Sequence, residues 1–282
     1  MSKYKIRSVA FVAVATALLF LFGCGTANDG EKKNEKEDPI MNVENDTALG
    51  RWLEAHGVEY YIADVELSPE KLTELYEKEL EKGRHEGYTP VIVLDDGTGD
   101  SLLLSMLEEY DPESLLQAEL PDGKAFLDSR IDEFKNPSDP SLDALDPDML
   151  RDDSAVGAPF NAFISYSIEM DGSIAHIVKL PTDKPWEAVL YLPFGGWNSC
   201  PDPEHMAGVC KYWYEKYSAY PALIAGEEMN FYLPAPVPES EACEAALEHF
   251  AFCEDVLFQG MGYINAVEDY IRQSTVWYFW WD

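Results

Sequence analysis

Positive charge is what this chain has least of. Its 282 residues carry 20 Lys+Arg against 53 Asp+Glu, a formal net charge of −33. A chain so acidic, with no basic patch, repels nucleic acid and anionic lipid headgroups, which excludes both as partners on charge alone. It has only five cysteines and five histidines. It has no strict internal repeat, and no apolar run reaches the ~20 residues that a comfortable membrane span needs. Recognised catalytic signatures are missing as well. No Lys follows Asp95-Asp96-Gly97-Thr98-Gly99-Asp100, and its three carboxylates would repel phosphate, so it reads as a turn and helix cap. Asp139, Asp143, Asp146 and Asp148 lack the spacing and the glycine of an EF-hand and read as a solvated acidic loop. What is present, 46% apolar and 13% aromatic residues, suffices for a substantial core and excludes global disorder. The length suits one large domain or two ordinary ones.

The N-terminus has the three parts of an export signal. Lys3, Lys5 and Arg7 form a basic start, Val9 to Phe22 is an uncharged and mostly apolar run, and Leu21-Phe22-Gly23-Cys24 resembles a bacterial lipobox. Residues 1–24 are therefore expected to be a lipoprotein signal peptide, with Cys24 as the lipidated (palmitate-bearing) N-terminus of the mature protein. Residues 25–48, polar and without apolar periodicity, are expected to be a flexible tether. Acyl chains at ~0.8 kcal/mol per buried CH₂ would hold such a protein on a membrane without a spanning helix. The expected location is the bacterial cell envelope, outside the cytoplasm. After removal of the signal, 17 Lys+Arg stand against 53 Asp+Glu, or −36.

The remainder divides by composition into an N-terminal α/β segment (49–135), an acidic Pro/Asp-rich linker (136–158) and a C-terminal α+β domain (159–282). In the first segment, Tyr60 to Val65 and Val91 to Leu94 predict strands. Between them Ser68-Pro69-Glu70 starts a helix that Gly83 closes. A Leu-rich helix follows from Ser101, and Phe126, Arg130, Ile131 and Phe134 form one stripe of another. In the C-terminal part, Ala162 to Glu169 and Ser173 to Leu180 alternate around Asp171-Gly172 as a hairpin. Ala188 to Leu192 reads as a strand, Asp202-Pro203-Glu204 starts a helix, and Ala222 to Ala225 and Asn230 to Leu233 are strands. Helices near 239–252 and 264–271 precede a closing strand from Val276. This order, β-α-β-β-α-(α)-β, predicts a split-βαβ, ferredoxin-like arrangement.

Pro185-Trp186, Gly195-Gly196-Trp197-Asn198-Ser199-Cys200-Pro201, Glu254-Asp255-Val256 with Gln259-Gly260, and the terminal Trp277-Tyr278-Phe279-Trp280-Trp281-Asp282 together resemble the bacterial family called domain of unknown function 4253. The resemblance covers 185–282, with a weaker echo at Gly87-Tyr88-Thr89-Pro90-Val91. It implies an α+β domain and brings with it no activity, catalytic residue or cofactor.

Four cysteines besides Cys24 permit three pairings. In an antiparallel pair of helices the equal spacing favours the nested disulfides Cys200–Cys253 and Cys210–Cys243, while four buried thiols remain the plain alternative. Cys200 and His205 with His249 and Cys253 are a conceivable zinc set. Cys200 before a helix N-terminus, with His205 as base, is a conceivable thiol nucleophile. Trp197, Asn198, Asp255, Gln259, Trp280 and Asp282 cluster in the densest motifs and could line a ligand cleft. The leading expectation is a tethered acidic binding or protective module, without cofactor, suited to a basic protein partner. Its rival is a thiol-dependent hydrolase or zinc-binding protein centred on Cys200 and His205.

Overall fold

The computed structural model describes residues 47–95, 102–138, 144–170 and 172–282. Cys24, the leader and most of the tether lie outside the described residues, as do the turn residues after Asp95, Asp139, Asp143 and Asp171. The strands are β1 (Glu59–Ile62), β2 (Thr89–Asp95), β3 (Ile174–Leu180), β4 (Tyr220–Ala225), β5 (Glu228–Tyr232) and β6 (Val276–Trp280). They form one mixed sheet in the order β1-β3-β2-β4-β5-β6. Neighbours are antiparallel except β2 and β4, which run parallel through Ile92↔Leu223 and Val93↔Ile224. The helices are α1 (Ala48–Ala55), α2 (Pro69–Glu86), α3 (Leu102–Glu109), α4 (Pro112–Gln117), α5 (Gly123–Lys135), α6 (Tyr166–Glu169), α7 (Ala188–Tyr191), α8 (Pro203–Tyr217), α9 (Ala242–Phe252) and α10 (Ile264–Ile271). None of those in the described residues is long and apolar enough to cross a membrane.

The α+β class follows from how the central strands are buried. Every residue of β2 and β4 is buried, as expected of apolar runs covered on both faces. Ile92 and Leu94 face a smaller core with Leu72, Tyr76 and Leu80 of α2. Val91 and Val93 face a larger one that holds Leu127 of α5, Trp213 of α8, Phe250 of α9 and Val267 of α10. Along β6 the aromatics divide: Trp277, Phe279 and Trp281 enter the larger core, while Tyr278 and Trp280 stay half-buried.

Local chemistry sets the helix ends. Ser68 Oγ accepts the Lys71 N–H at 3.3 Å, and Pro69 occupies the first turn. The helix does not stop at Gly83, however. It ends at Gly87, whose φ of +83° gives the left-handed cap. Gly83 serves packing instead, since a Cβ there would lie 2.4 Å from the Tyr88 carbonyl oxygen.

Two expected strands are not strands. Residues 188–191 are α7, entered through a 3₁₀ turn at Pro185–Glu187. A short apolar run buried on all sides fits either element, and period alone does not separate them. The Ala162–Glu169 arm of the expected hairpin has no ladder, and only its partner forms β3. Side chains fix this arm: Asn230 both donates to the Ile164 carbonyl and accepts from its N–H at 2.8 Å. The Phe160 N–H bonds Ser274 Oγ, and the Phe163 N–H bonds Thr73 Oγ1.

With 188–191 helical, the split-βαβ order loses its first strand, and the parallel neighbour of β4 is β2, from the N-terminal segment. The acidic stretch is also tied down where described. Leu145 is buried in the larger core, and Asn265 of α10 bonds the backbone of Asp152 and Ala155.

Candidate functional site

The residues singled out as a cleft meet at one corner, where the loop before α8, a π-helical turn at Val256–Met261 and the end of β6 come together. The loop is pinned by its glycines. Gly195 has φ +120° and a Cβ there would fall 2.0 Å from the Pro201 carbonyl oxygen; Gly196, at φ +92°, donates its N–H to that same oxygen. Trp197 is thereby held against the chain terminus. Its indole N–H donates to the Trp281 carbonyl at 3.4 Å, and the two rings meet edge-on at 6.2 Å.

Asp255, 7% exposed, ties the rest together. One carboxylate oxygen accepts from Gln259 Nε2 at 2.7 Å, the other from the Asp282 N–H at 3.1 Å. Trp280 stacks on Tyr278 at 5.4 Å, and Gly260 leaves room for its ring edge, which a Cβ would meet at 2.9 Å. Asn198 is an exposed turn residue at φ +47°. Trp197, Asp255, Gln259, Trp280 and Asp282 are thus assembled, with the Trp197 indole N–H, both Asp255 carboxylate oxygens and the Gln259 amide N–H bonded within the fold.

Among the described residues Cys200, Cys210, Cys243 and Cys253 are free thiols. The nested pairing is therefore not formed, and for Cys210–Cys243 the reason is plain: Cys210 lies fully inside the core and Cys243 is exposed in the first turn of α9. Cys200 and Cys253 are different. Both are buried, and Cys253 S–H donates to the Trp280 carbonyl at 2.8 Å. Burial pushes the Cys200 thiol well above the usual range, with Cys253 the next contributor; burial also raises Cys253, to about 12. Thiols held protonated in this way are poor nucleophiles at neutral pH.

The histidines do not join them. His205 Nδ1–H donates to the Asp202 carboxylate at 2.9 Å and its ring packs on Phe126. His249 is wholly buried among Trp213, Trp277 and Phe279, its Nδ1–H given to the Ala245 carbonyl at 2.8 Å. Desolvation lowers its pKa to about 3. Among the described residues no three His, Cys, Asp or Glu side chains converge as a metal site would require, so Cys200, His205, His249 and Cys253 are not gathered into one.

Other polar centres escaped the sequence reading. Glu228, 4% exposed, accepts from Ser165 Oγ and Tyr278 OH, each at 2.5 Å, and from the Tyr166 N–H. Burial raises its pKa. Beside Ser165 opens a cavity of about 300 Å³ lined by Pro69, Phe160, Ala162, Ile164 and Ile168. Glu248, fully buried and raised in pKa for the same reason, accepts from Tyr212 OH and Trp213 Nε1–H. Thr47 Oγ1 and His176 Nε2 share a 2.8 Å hydrogen bond beneath α1. Each centre joins residues far apart in the chain, so no local motif announces it. A carboxylate beside a glycine turn, as at Gly226-Glu227-Glu228, looks solvated until its donors are known.

Residues 176–282 match the family model described as Domain of unknown function (DUF4253). The match begins within β3 and takes in the whole corner, whereas β1, β2 and α1 to α6 precede it. No curated protein and no solved structure matches the chain.

Proposed function

We propose that this is a lipid-anchored extracytoplasmic protein whose acidic α+β body binds a basic protein partner. The anchor rests on residues 1–24 and the polar tether behind them. The observation that carries the binding reading is where the acids lie. Among the described residues only Glu79, Asp95, Glu228, Glu248 and Asp255 are buried acids. The negative charge therefore sits at the surface, where it steers a cationic partner and repels an anionic one. The groups suited to catalysis are engaged by other parts of the fold: burial holds the Cys200 thiol protonated, the half-exposed His205 is bonded to Asp202, and Asp255 is engaged by Gln259 and the Asp282 N–H.

Two measurements test this reading. Radiolabelled palmitate should label the wild-type chain and not Cys24→Ser; equal labelling of both removes the anchor. Tagged protein cross-linked in native envelopes should then capture a basic protein, and capture should fall steeply as salt is raised before cross-linking. A neutral or acidic partner, or capture indifferent to salt, overturns the electrostatic reading.

A further inference from the structure

The cavity beside Ser165 is built on the segment that has no ladder of its own. Ser274, Thr73 and Asn230 hold the backbone of Phe160, Phe163 and Ile164. The floor of the cavity is therefore set before any ligand arrives, which lowers the ordering cost of binding. α6 supplies Ile168 and Glu169 to the wall, and the start of α2 supplies Pro69. On either side of the α6 pair in sequence, Tyr166 and Met170 leave 70% and 52% of their surface in solvent. An apolar patch rimmed by polar residues marks an interaction site. Here the rim is acidic. Glu169 is a lining residue and Glu70 follows Pro69; both are exposed, and neither enters an ion pair among the described residues. Lys71, next along α2, is held by Glu66, and Arg272, two residues before Ser274, by Asp269. At about 300 Å³ the cavity lies at the lower end of the ~300–1,000 Å³ range of ligand pockets, a size that suits one anchoring side chain. Its lining residues all precede residue 176, where the family match begins.

We propose that this cavity and α6 are the docking site of the basic partner, receiving one apolar side chain from a segment whose flanking Lys or Arg residues meet Glu70 and Glu169. The inference rests on the basic-partner reading above and adds where the partner is held and through what kind of segment. Charge complementarity selects the occupant. An acidic segment with the same apolar anchor would meet Glu70 and Glu169 with like charge and be repelled. The anchor, desolvated in a preformed pocket, carries most of the affinity, and the flanking cations carry the choice of partner.

The test uses the full-length protein in detergent, with the peptide Lys-Lys-Phe-Lys-Lys, labelled with tetramethylrhodamine, as the probe in fluorescence anisotropy. The peptide should bind saturably, and replacing its Phe by Ala should weaken binding at least about tenfold, as loss of an anchoring side chain does. Tyr166→Ala and Glu169→Lys, both at exposed positions, should each weaken it about fivefold or more. Glu133→Lys makes the same charge change on α5, which packs on the larger core, whereas Phe163 and Ile168 pack on the smaller one. It should leave binding within about twofold. Benzoylphenylalanine in place of Tyr166 should then cross-link the basic partner in native envelopes, and in place of Glu133 should not. No saturable binding of the Phe peptide overturns the docking site. Equal binding of the Phe and Ala peptides, or equal losses in Glu169→Lys and Glu133→Lys, overturns it too and leaves the basic-partner reading standing, with the charge acting diffusely. A basic protein cross-linked from position 133 and not from 166 does the same. If Glu-Glu-Phe-Glu-Glu binds as tightly as Lys-Lys-Phe-Lys-Lys, the basic-partner reading falls together with the inference.

Discussion

The burial of His249 makes stability depend on pH with a definite sign. Its imidazole gains a proton near pH 6.5 in an unfolded chain and at about 3 in the native one. Between those values the unfolded state binds more protons, so the contribution is complete above 6.5 and is lost as the pH falls toward 3, at about 1.4 kcal/mol per pH unit. His176, also lowered by burial, acts in the same direction. Glu228 and Glu248, raised by burial, act in the opposite one, so a single-site comparison is needed. Urea unfolding of wild type and His249→Phe at several pH values from 7 to about 4 should show a shallower pH slope in the variant. Equal slopes would place the titration elsewhere. At the corner, Asp255→Ala leaves the Gln259 amide and the Asp282 N–H without their acceptor. The expected cost is about 1–3 kcal/mol in urea unfolding; a loss below about 0.5 kcal/mol would show water replacing the carboxylate.

Between elements, close approach is bought with glycine. Gly123 of α5 and Gly208 of α8 face each other, and a Cβ on Gly208 would lie 2.4 Å from the Pro121 carbonyl oxygen. Gly208→Ala must therefore push α5 off α8, and a loss of about 1–3 kcal/mol in denaturant unfolding is expected. A neutral or stabilising result, as helix propensity alone would give, would mean that this contact yields freely. The outer edge of β6 has a similar dependence on one side chain. The Tyr270 hydroxyl donates to the Val276 carbonyl and accepts the Tyr278 N–H, standing where a neighbouring strand would supply both groups. In Tyr270→Phe the Tyr278 amide should exchange with solvent faster than in wild type while amides of β4 keep their protection. Uniform loss of protection would make the hydroxyl a global rather than a local support.

Helix starts at Ser68 and Asp202 could be read from the sequence, because each is set by residues within a turn of one another. The corner was also legible, since its aromatic and glycine motifs are dense. The state of 188–192 was not, because five consecutive apolar residues carry no period of their own. Nor were the clamps on 160–166, whose partners Thr73, Asn230 and Ser274 lie far along the chain.

For the molecule as a whole, a net charge of −33 means self-repulsion on the surface. Ion pairs at the surface, such as Lys71–Glu66 and Lys184–Glu187, contribute little each to relieving it. Thermal unfolding at low ionic strength should therefore occur at a lower temperature than at about 0.15 M salt, where charges beyond about 8 Å are screened. A melting temperature insensitive to salt would mean that the acids are locally compensated.

The place of β2 also sets a timetable. It is made early, yet both its neighbours, β3 and β4, are made much later, the second after α8. A nascent chain that has emerged only as far as α5 holds Val91-Ile92-Val93-Leu94 with no strand to receive it on either side. Such a chain cannot close its sheet ahead of time. Any truncation before Tyr220 leaves this fully buried strand without one of its two partners.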